Sequence, residues 1–455
     1  MERLSIQEIA QAIGAAYPRE GYVDSVVTDS REAKEGSLYV AIVGENLDGN
    51  RFVDDAFSRG ADFAVASEKE AYAKPEQVLY VQNGKRAHIQ IGGLYRGKFD
   101  LAVVGVTGSV GKTTTKEFIS AVLASQYKTL KNEGNQNNEI GVPRTLFCLS
   151  REHEAAVIEM GMSGLGEIHD LTMAVRPDVG VITSIGVSHI ELLGSRENIL
   201  RAKLELLDGM KPGSPLFLCG DNDLLCNVRD GRFQIYYYGI TNPKCDLRAV
   251  NIRSLEGKTT FEILSPWGEY PAAIPAIGQH NVLDALAAFG VGCVMNIPPE
   301  QCAGALSNYL PAGMRQHVVL YKGITVVEDC YNASPDSMRA AALALASCPC
   351  KGKRIMVVSD MLELGEMAQE AHRECGAFIA ANGIDMLLAA GPLSLETIEG
   401  ANRAGMERCL YFETKEALAD AVRSAASAED VVWFKASRGM KLEEVLNTFY
   451  GGERR

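Results

Sequence analysis

Short apolar runs alternate with longer amphipathic segments along most of this chain. Several of the runs are rich in β-branched residues, which is typical of strands buried in a parallel sheet. The amphipathic segments have the three- and four-residue spacing of helices. Predicted strands lie at 37–43, 61–66, 101–106, 155–159, 179–185, 216–219, 235–238, 325–330, 354–359, 386–390 and 431–435, and predicted helices at 51–59, 83–100, 195–209 and 278–289. This alternation predicts an α/β fold.

The segment LAVVGVTGSVGKTTT at 101–115 joins an apolar strand to a glycine turn, a lysine and three threonines. Glycines in the turn let backbone N–H groups point inward, and the following helix offers its positive end to an anion. The segment matches the shorter TGxxGKT form of the phosphate loop, because Val106 stands where the longer form has glycine. A purely structural glycine turn is the alternative. The pattern predicts a nucleotide-phosphate site at Gly108, Ser109, Val110, Gly111, Lys112, Thr113 and Thr114.

A chain of 455 residues is long enough for about three domains, each with its own core. We predict a small N-terminal α/β domain at 1–82. A central P-loop ATPase-type domain, with a parallel sheet and helices, is predicted at 83–312. A C-terminal Rossmann-like α/β domain is predicted at 313–455. Loops that follow parallel strands meet at one edge of a sheet, so polar residues after strands are candidates for the site.

Polar residues follow two of the central strands. Glu159 ends the run 155–159, where a carboxylate reaches a metal ion directly or through water. His189 follows the run 179–185, although a histidine in this position is also explained by packing or capping. The loop NEGNQNNEIG adds amide side chains. We expect these groups beside the phosphate site, and the amides are Asn135, Asn137 and Asn138.

Lys203 lies in the middle of the apolar face of the predicted helix 195–209. At about 100° per residue, the leucines and the isoleucine of this helix form one arc, and Arg201 lies on the opposite side. Two interpretations remain open. The lysine stem is buried for structural reasons, with or without a carboxylate partner. Alternatively, a neutral lysine reacts with CO₂ and becomes a carbamate that binds a metal ion.

Polar clusters also occur near both ends of the chain. The triplet Asp29-Ser30-Arg31 offers donors to a phosphorylated ligand, although taken alone it is better explained by a capped turn. His280 and Asn281 begin a predicted helix and are candidates to face adenine. The last domain contains EDCYNASPDSM, SDMLELGE and KASRGMKLEE after its strands. These positions predict polar side chains at the carboxyl edge of a second sheet.

Composition narrows the classes of partner. A net charge of −13 disfavours binding to nucleic acid and to anionic membranes. The N-terminal sequence MERLSIQEIAQAIGA predicts an amphipathic helix with a Ser5/Glu8 capping box rather than a signal peptide. We therefore expect a cytoplasmic protein with no membrane insertion. Its eleven cysteines are scattered, and only Cys348 and Cys350 are close, which predicts reduced thiols.

Nine motifs occur in the order seen in the Mur ligases, and the chain from about 25 to 445 resembles that family. The motifs are TGSVGKTTTKE, NQNNEIGVP, EMGMSGLGEI, TSIGVSHIELLGS, AKLE, GQHNVLDALAA, EDCYNASPDSM, SDMLELGEM and KASRGMKLEEV. The resemblance implies an ATP-dependent ligase that joins D-alanyl-D-alanine to UDP-N-acetylmuramoyl-tripeptide through an acyl phosphate and a tetrahedral intermediate. The product would be the pentapeptide precursor of the cell wall. Both substrates are small molecules, and we expect a monomer.

The resemblance also implies a role for each domain and for individual residues. The N-terminal domain would bind the UDP group through Ser30 and Arg31, and the C-terminal domain would bind the dipeptide and close over ATP. Lys112 would stabilise phosphates. One Mg²⁺ would be held by Thr113 and Glu159, and a second by His189 and carbamylated Lys203. The remaining implied contacts are Asn281 with adenine, Arg315 with the γ-phosphate, Asp329 with ribose, and Asn135, Asn137, Asn138, Tyr331, Asn332, Lys435, Ser437 and Arg438 with substrate.

The chain departs from the family pattern at four positions. Asp284 stands where the family usually repeats asparagine, which bears on the adenine contact. Ser359 and Ala436 replace usual glycines, and Asn50 replaces a usual histidine. Three alternative functions share part of the pattern. They are a sister ligase that adds a diamino acid, a folylpolyglutamate synthetase, and a non-enzymatic P-loop switch with a partner-binding C-terminal domain.

Overall fold

The structure, a computed structural model, describes residues 1–16, 19–68, 71–255 and 257–452. These residues form two compact units. Unit A comprises Met1–Thr107, Gln126–Val181 and Ala202–Pro215. Unit B comprises Gly108–Ser125, Ile182–Arg201 and Leu216–Arg455. Strands and helices alternate in both units, which confirms the predicted α/β class.

The N-terminal part of unit A contains a four-stranded parallel sheet. Ser5 and Glu8 form the predicted capping box, each side chain accepting from the other residue's backbone N–H at 3.1 Å. The strands β3 to β6 are parallel and follow one another in the sheet, so each connection is a crossover. The elements are β1 (Leu4–Ser5), α1 (Ile6–Ile13), β2 (Tyr22–Val23), β3 (Ser25–Val27), β4 (Ser37–Val40), α2 (Val53–Ser58), β5 (Phe63–Ala66), β6 (Val78–Tyr80) and α3 (Gly84–Arg96).

The central part of the chain continues the strand and helix alternation. In unit A, β9 lies between β7 and β8 and is parallel to both. Its last residue, Glu159, is level with Val106 of β7. The elements are β7 (Ala102–Thr107), α4 (Lys112–Leu123), β8 (Thr129–Lys131), α5 (Gly141–Leu146), β9 (Ala155–Glu159), α6 (Glu167–Val175), β10 (Val179–Ile182), α7 (Ile190–Leu193), α8 (Arg196–Leu204), β11 (Pro215–Cys219) and β12 (Gln234–Gly239).

Three strands of unit B that the sequence pattern did not reveal extend this region. β13 (Leu247–Leu255) is parallel to β12, and then β14 (Lys258–Ser265) and β15 (Gly268–Ile274) continue as an antiparallel hairpin. Buried and exposed residues alternate along β14, because only one face of the hairpin is covered. Such alternation is a weaker sequence signal for a strand than a continuous apolar run. Helices α9 (Gln279–Val294) and α10 (Pro299–Ala305) complete the region.

The C-terminal part of unit B contains a six-stranded sheet in the order β16-β17-β21-β18-β19-β20. All neighbours are parallel except β16 and β17. The last strand is inserted between β17 and β18, which brings the carboxyl ends of these strands together. The elements are β16 (His317–Tyr321), β17 (Ile324–Asp329), α11 (Pro335–Ser347), β18 (Arg354–Val358), α12 (Ala368–Ala381), β19 (Met386–Ala390), α13 (Ser394–Arg403), β20 (Cys409–Phe412), α14 (Lys415–Ala425), β21 (Val431–Lys435) and α15 (Glu443–Phe449).

Two apolar layers cover this sheet, one on each face. Trp433 belongs to the layer shared with α11 and α12, whereas its neighbour Phe434 belongs to the layer shared with α14 and α15. All eleven cysteines are free thiols, as predicted. Within the described part of the chain, no helix has the length and apolar character needed to cross a membrane.

Candidate functional site

The phosphate loop of unit B has the glycine-dependent conformation that the sequence predicts. Gly111 has φ 91°, and Gly108 has φ 146° with Thr183 Oγ1 only 2.0 Å from the position of a Cβ. Ser184 accepts from Ser109 N–H at 2.9 Å through its carbonyl and from Val110 N–H at 3.0 Å through its hydroxyl. A side chain on Gly108 would therefore displace the segment after β10 that supports the loop.

Lys112 lies at the start of α4 and folds over the loop. Its Nζ donates to the carbonyls of Gly108 at 2.8 Å and Ser109 at 3.2 Å. Thr113, the predicted Mg²⁺ ligand, is only 3% exposed. The hydroxyls of Thr183 and Ser184, which hold Val110, were not identified from the sequence, because two hydroxyl residues after an apolar strand carry no distinctive spacing.

Asp284 of α9 contacts the phosphate-loop helix. Its carboxyl accepts from Thr115 Oγ1 at 2.7 Å and lies 2.7 Å from the position of a Cβ on Gly111. Burial raises the pKa of Asp284 to about 8. Asp284 was expected to bear on the adenine contact, and the structure shows its carboxyl hydrogen-bonded to α4.

Glu159 of unit A is 1% exposed and is held by two asparagines. Asn137 Nδ2 donates to Glu159 Oε1 at 2.7 Å. The amide of Asn132 pairs with the backbone N–H and C=O of Glu159, both at 2.9 Å. Asn138 instead caps α5 by accepting from Gly141 N–H at 2.9 Å, and Asn135 is exposed. Asn132, the first residue of the loop NEGNQNNEIG, was not singled out from the sequence because its role depends on its contact with Glu159.

Lys203 of unit A is 1% exposed, which confirms the predicted inward orientation. Ile199 and Leu206, on the same side, are fully buried, whereas Arg201 is exposed. The predicted continuous helix instead changes after Leu204 into a 3₁₀ turn. Glu205 in this turn accepts from Gly166 N–H at 2.8 Å at the start of α6. Glu205 therefore caps the start of α6.

His189 of unit B precedes α7 in a left-handed conformation, with φ 62°. Its Nδ1 lies 3.3 Å from Oε2 of Glu363. Glu363 belongs to the segment SDMLELGE, in which no single residue was predicted to have a role.

Asn281 and His280 share a partner that the sequence did not suggest. Asn281 Nδ2 donates to the carbonyl of Ile277 at 2.7 Å and to Gln316 Oε1 at 2.6 Å. The amide of Gln316 also contacts His280 Nε2. Burial lowers the pKa of His280 to about 4, which favours the neutral ring. The side-chain amide of Asn281 therefore donates its hydrogen bonds to acceptors of the protein itself.

The C-terminal sheet brings together several predicted residues of unit B. Lys435 Nζ donates to Asp329 Oδ2 at 2.8 Å and to the carbonyl of Asn332 at 3.2 Å. The Arg315 guanidinium lies 3.9 Å from the centre of the Tyr331 ring, at cation–π distance. These contacts place five predicted substrate or nucleotide residues, Lys435 among them, around the carboxyl ends of β17 and β21.

Two further predicted residues lie after β21. Ser437 Oγ donates to the carbonyl of Ala333 at 3.3 Å and accepts from Leu362 N–H at 3.0 Å. Arg438 pairs with Glu443 at 3.3 Å. Ser437 therefore connects the segments after β17 and β18, whereas Arg438 faces the start of α15.

The N-terminal triplet forms a capped turn. Asp29 accepts from Arg31 N–H at 3.0 Å and pairs with the Arg31 guanidinium at 2.6 Å. These bonds lower the pKa of Asp29 to about 2. Ser30 is buried, and Arg31 is largely exposed. Asn50, one of the four departures from the family pattern, also has a structural role, because its side-chain amide donates to Asp48 and Ser67.

The predicted metal donors fit Mg²⁺ bound together with a nucleotide. Among the residues that the structure describes, no three His, Cys, Asp or Glu side chains form a cluster able to hold a metal ion. Mg²⁺ commonly takes one or two protein ligands and completes its shell with phosphate oxygens and water. A hydroxyl and a carboxylate, as in Thr113 and Glu159, suit this ion.

Similarity to known proteins covers nearly the whole length of the chain. The Mur ligase middle domain family matches residues 106–292, and the Mur ligase glutamate ligase domain family matches residues 314–438. A UDP-N-acetylmuramoyl-tripeptide--D-alanyl-D-alanine ligase from Bacillus subtilis is 38% identical over 454 residues, covering 98% of each protein.

Solved structures show the same extent of similarity. The crystal structure of MurF from Acinetobacter baumannii aligns with a TM-score of 0.91 at 28% identity and covers 99% of each chain. The MurF ligase of Thermotoga maritima, solved with ADP, aligns with a TM-score of 0.85 at 27% identity, covering 94% of this chain and 97% of that one. The three-domain α/β fold class is thereby confirmed.

Proposed function

Because this chain belongs to the Mur ligase family, we propose that it joins D-alanyl-D-alanine to UDP-N-acetylmuramoyl-tripeptide with ATP as the energy source. The observation that carries this proposal is the full-length similarity to a ligase named for these substrates. The phosphate loop by itself supports only nucleotide use. The product is the pentapeptide precursor of the cell wall.

The chemistry explains why ATP is required. A peptide carboxylate is a poor electrophile, so its oxygen attacks the γ-phosphorus of ATP and releases ADP. The free amine of D-alanyl-D-alanine then adds to the carbonyl carbon of the acyl phosphate, and the tetrahedral intermediate loses an amine proton and expels phosphate to leave the amide. Lys112 and the loop N–H groups stabilise negative charge on the transferring group. Arg315 contacts the γ-phosphate, and Tyr331 holds its guanidinium.

Two metal positions belong to the proposal. Thr113 and Glu159 hold one Mg²⁺, and His189 with carbamylated Lys203 holds a second. Mg²⁺ supplies positive charge to the phosphate oxygens when bound. Burial disfavours a charged ammonium on Lys203, and only the neutral amine adds CO₂. The observed burial of Lys203 supports this role.

The remaining contacts follow from the proposed substrates. The N-terminal domain at 1–82 binds the UDP group through Ser30 and Arg31. The central domain at 83–312 binds ATP. The C-terminal domain at 313–455 binds the dipeptide and closes over ATP, which excludes water from the acyl phosphate. The adenine contact of Asn281, the ribose contact of Asp329, and the substrate contacts of Asn135, Asn137, Asn138, Tyr331, Asn332, Lys435, Ser437 and Arg438 complete the proposal. We place the enzyme in the cytoplasm as a monomer.

An ADP-release assay tests the substrates. Purified protein is incubated with ATP, Mg²⁺ and UDP-N-acetylmuramoyl-tripeptides ending in lysine or diaminopimelate, with a panel of amino acids and dipeptides. We expect ADP release that requires both a UDP-tripeptide and D-alanyl-D-alanine. Equal turnover with a single diamino acid and the UDP-dipeptide would favour the sister ligase instead. Full ADP release without any amine acceptor would contradict the proposal.

A further inference from the structure

Gln316 connects the segment before β16 to the first turn of α9, and both elements belong to unit B. Its Oε1 accepts from Asn281 Nδ2 at 2.6 Å, and its Nε2 contacts His280 Nε2. Gln316 follows Arg315 and has a left-handed backbone conformation, with φ 54°. A residue with a Cβ adopts this conformation at an energetic cost and keeps it only where its surroundings hold it. The two side-chain contacts with α9 provide such a hold.

A main-chain carbonyl fixes the direction of every hydrogen bond in this cluster. The carbonyl of Ile277 can only accept, so the Asn281 atom at 2.7 Å from it is the nitrogen Nδ2. The second proton of that nitrogen is donated to Gln316, whose facing atom is therefore the oxygen Oε1. The Gln316 nitrogen is left to donate to His280, so His280 Nε2 is the acceptor and Nδ1 carries the ring proton.

This cluster leaves Asn281 Oδ1 without a donor. Both protons of the Asn281 amide are donated, one to Ile277 and one to Gln316. Among the residues that the structure describes, none donates to Asn281 Oδ1. Asn281 is nevertheless buried, with only 4% of the residue exposed. A buried amide oxygen without a donor is energetically costly, which indicates that a ligand supplies the donor.

An amide oxygen in a fixed orientation distinguishes purine bases by the group that they carry at position 6. Adenine carries an amino group there, which donates hydrogen bonds, whereas guanine and hypoxanthine carry an oxygen, which accepts them. An asparagine that turned freely would present Oδ1 to the amino group or Nδ2 to the oxygen, and would therefore accept either kind of base. With the amide of Asn281 fixed, only the amino group finds a matching partner.

We propose that Gln316 is a positioning residue that sets the preference for adenine, because it holds Asn281 with Oδ1 available to the 6-amino group. This inference rests on the adenine contact of Asn281 in the proposed function. Gln316 acts through Asn281 and not on the reacting atoms. It therefore contributes to nucleotide affinity, and the rate of phosphate transfer at saturation does not depend on it.

Nucleotide binding to the full-length protein tests the proposal without turnover. Titration calorimetry compares ADP with IDP, the diphosphate that carries hypoxanthine, both in the presence of Mg²⁺. Wild-type protein should bind ADP more tightly. Gln316→Leu leaves the Asn281 amide with the Ile277 carbonyl as its remaining acceptor, and should lower the ratio of the two affinities by roughly fivefold. Gln316→Glu keeps an oxygen that faces Asn281, and His280 can move its proton to Nε2, so the ratio should stay close to wild type.

Two further variants separate this role from a general effect on the fold. Asn281→Leu removes Oδ1 itself and should lower the ratio at least as far as Gln316→Leu. Gln301→Leu is the matched control, because it removes another glutamine of unit B, whose Nε2 donates to the Ser125 carbonyl at 2.9 Å, and it should keep the wild-type ratio. Kinetics with ATP and ITP should place the effect of Gln316→Leu in the KM for ATP, with kcat unchanged. Thermal melts close to wild type show that the variants are folded.

Several outcomes would overturn the inference. One is an equal loss of affinity for ADP and IDP in folded Gln316→Leu, which would make Gln316 a structural contact only. Others are a wild-type ratio in Gln316→Leu or in Asn281→Leu, and equal affinity of wild-type protein for the two nucleotides. Failure of the substrate assay above would be separate, because the calorimetric comparison of ADP with IDP needs neither the UDP-tripeptide nor the dipeptide.

Discussion

Asp284 and Thr115 share a hydrogen bond of 2.7 Å that joins helix α9 to the first turn of helix α4. Asp284 is 6% exposed, and burial raises the pKa of its carboxyl to about 8, against an ordinary value of 3.8. The Thr115 hydrogen bond lowers the pKa but does not cancel the effect of burial. The helix that begins at the phosphate loop thus rests on a carboxyl group that is mostly neutral at pH 7.

This relationship predicts a pH-dependent stability. The folded state binds the Asp284 proton more tightly than the unfolded state, so the stabilisation is complete below about pH 4 and is lost as pH rises toward 8. The free energy of unfolding should fall by up to about 1.4 kcal/mol per pH unit in this range. Asp284→Asn, which resembles the neutral acid, should remove most of this decline in urea unfolding measured from pH 5 to 8. Asp223→Asn, at a surface ion pair, should keep it.

Lys112 is predicted to be essential for phosphate transfer and dispensable for folding. Lys112→Met should reduce ADP release by roughly a hundredfold or more, because the ammonium stabilises charge on the transferring phosphate. Its melting temperature should stay close to wild type. Lys415→Ala, which removes a surface ion pair with Glu444, is the matched control and should retain activity. Comparable ADP release from Lys112→Met and wild type would refute the assignment.

Lys203 should carry CO₂ when the enzyme is active. Protein equilibrated with ¹³C-bicarbonate and Mg²⁺ should show a carbamate carbon signal that is absent in Lys203→Ala. Lys116→Met replaces an equally buried lysine and leaves Lys203 in place, so it is the matched control and should keep the signal.

The Lys203→Ala variant should also lose activity, and small molecules should restore part of that activity. Lys203→Ala should lower turnover by roughly a hundredfold or more while remaining folded, since the metal loses an oxygen ligand. Short carboxylates or added bicarbonate should restore part of the lost turnover. Lys203→Arg should stay inactive, because a guanidinium keeps its charge and forms no stable carbamate. Near wild-type turnover of Lys203→Ala would make the lysine a structural residue.

Tyr331 should act through the face of its ring. Tyr331→Phe keeps an aromatic face under Arg315 and should change kcat/KM for ATP by less than about twofold. Tyr331→Leu removes a cation–π contact worth about 1 kcal/mol, which corresponds to roughly a fivefold loss. Steady-state kinetics with saturating UDP-tripeptide and dipeptide measure both variants. An equal loss in the two would indicate that the hydroxyl, rather than the ring, is needed.

The sequence determined the features that depend on local physics. Glycine at positive φ, a lysine and threonines at the start of a helix identify a phosphate loop wherever they occur, and the structure shows Gly108 and Gly111 in that conformation. The inward orientation of Lys203 followed from helical periodicity alone. The strands ending at Glu159 and Lys435 were bounded correctly, because continuous apolar runs mark buried parallel strands.

Only the tertiary structure decided which distant residues meet. Thr115 and Asp284 are 169 positions apart, and Asp329 and Lys435 are 106 apart. The second pair meets because β21 is inserted between β17 and β18, and strand order leaves no periodic trace in a single sequence. Asn132 beside Glu159 and Glu363 beside His189 were missed for the same reason. Their roles come from partners brought close by folding, whereas the pattern around each residue reports only its own helix, strand or loop.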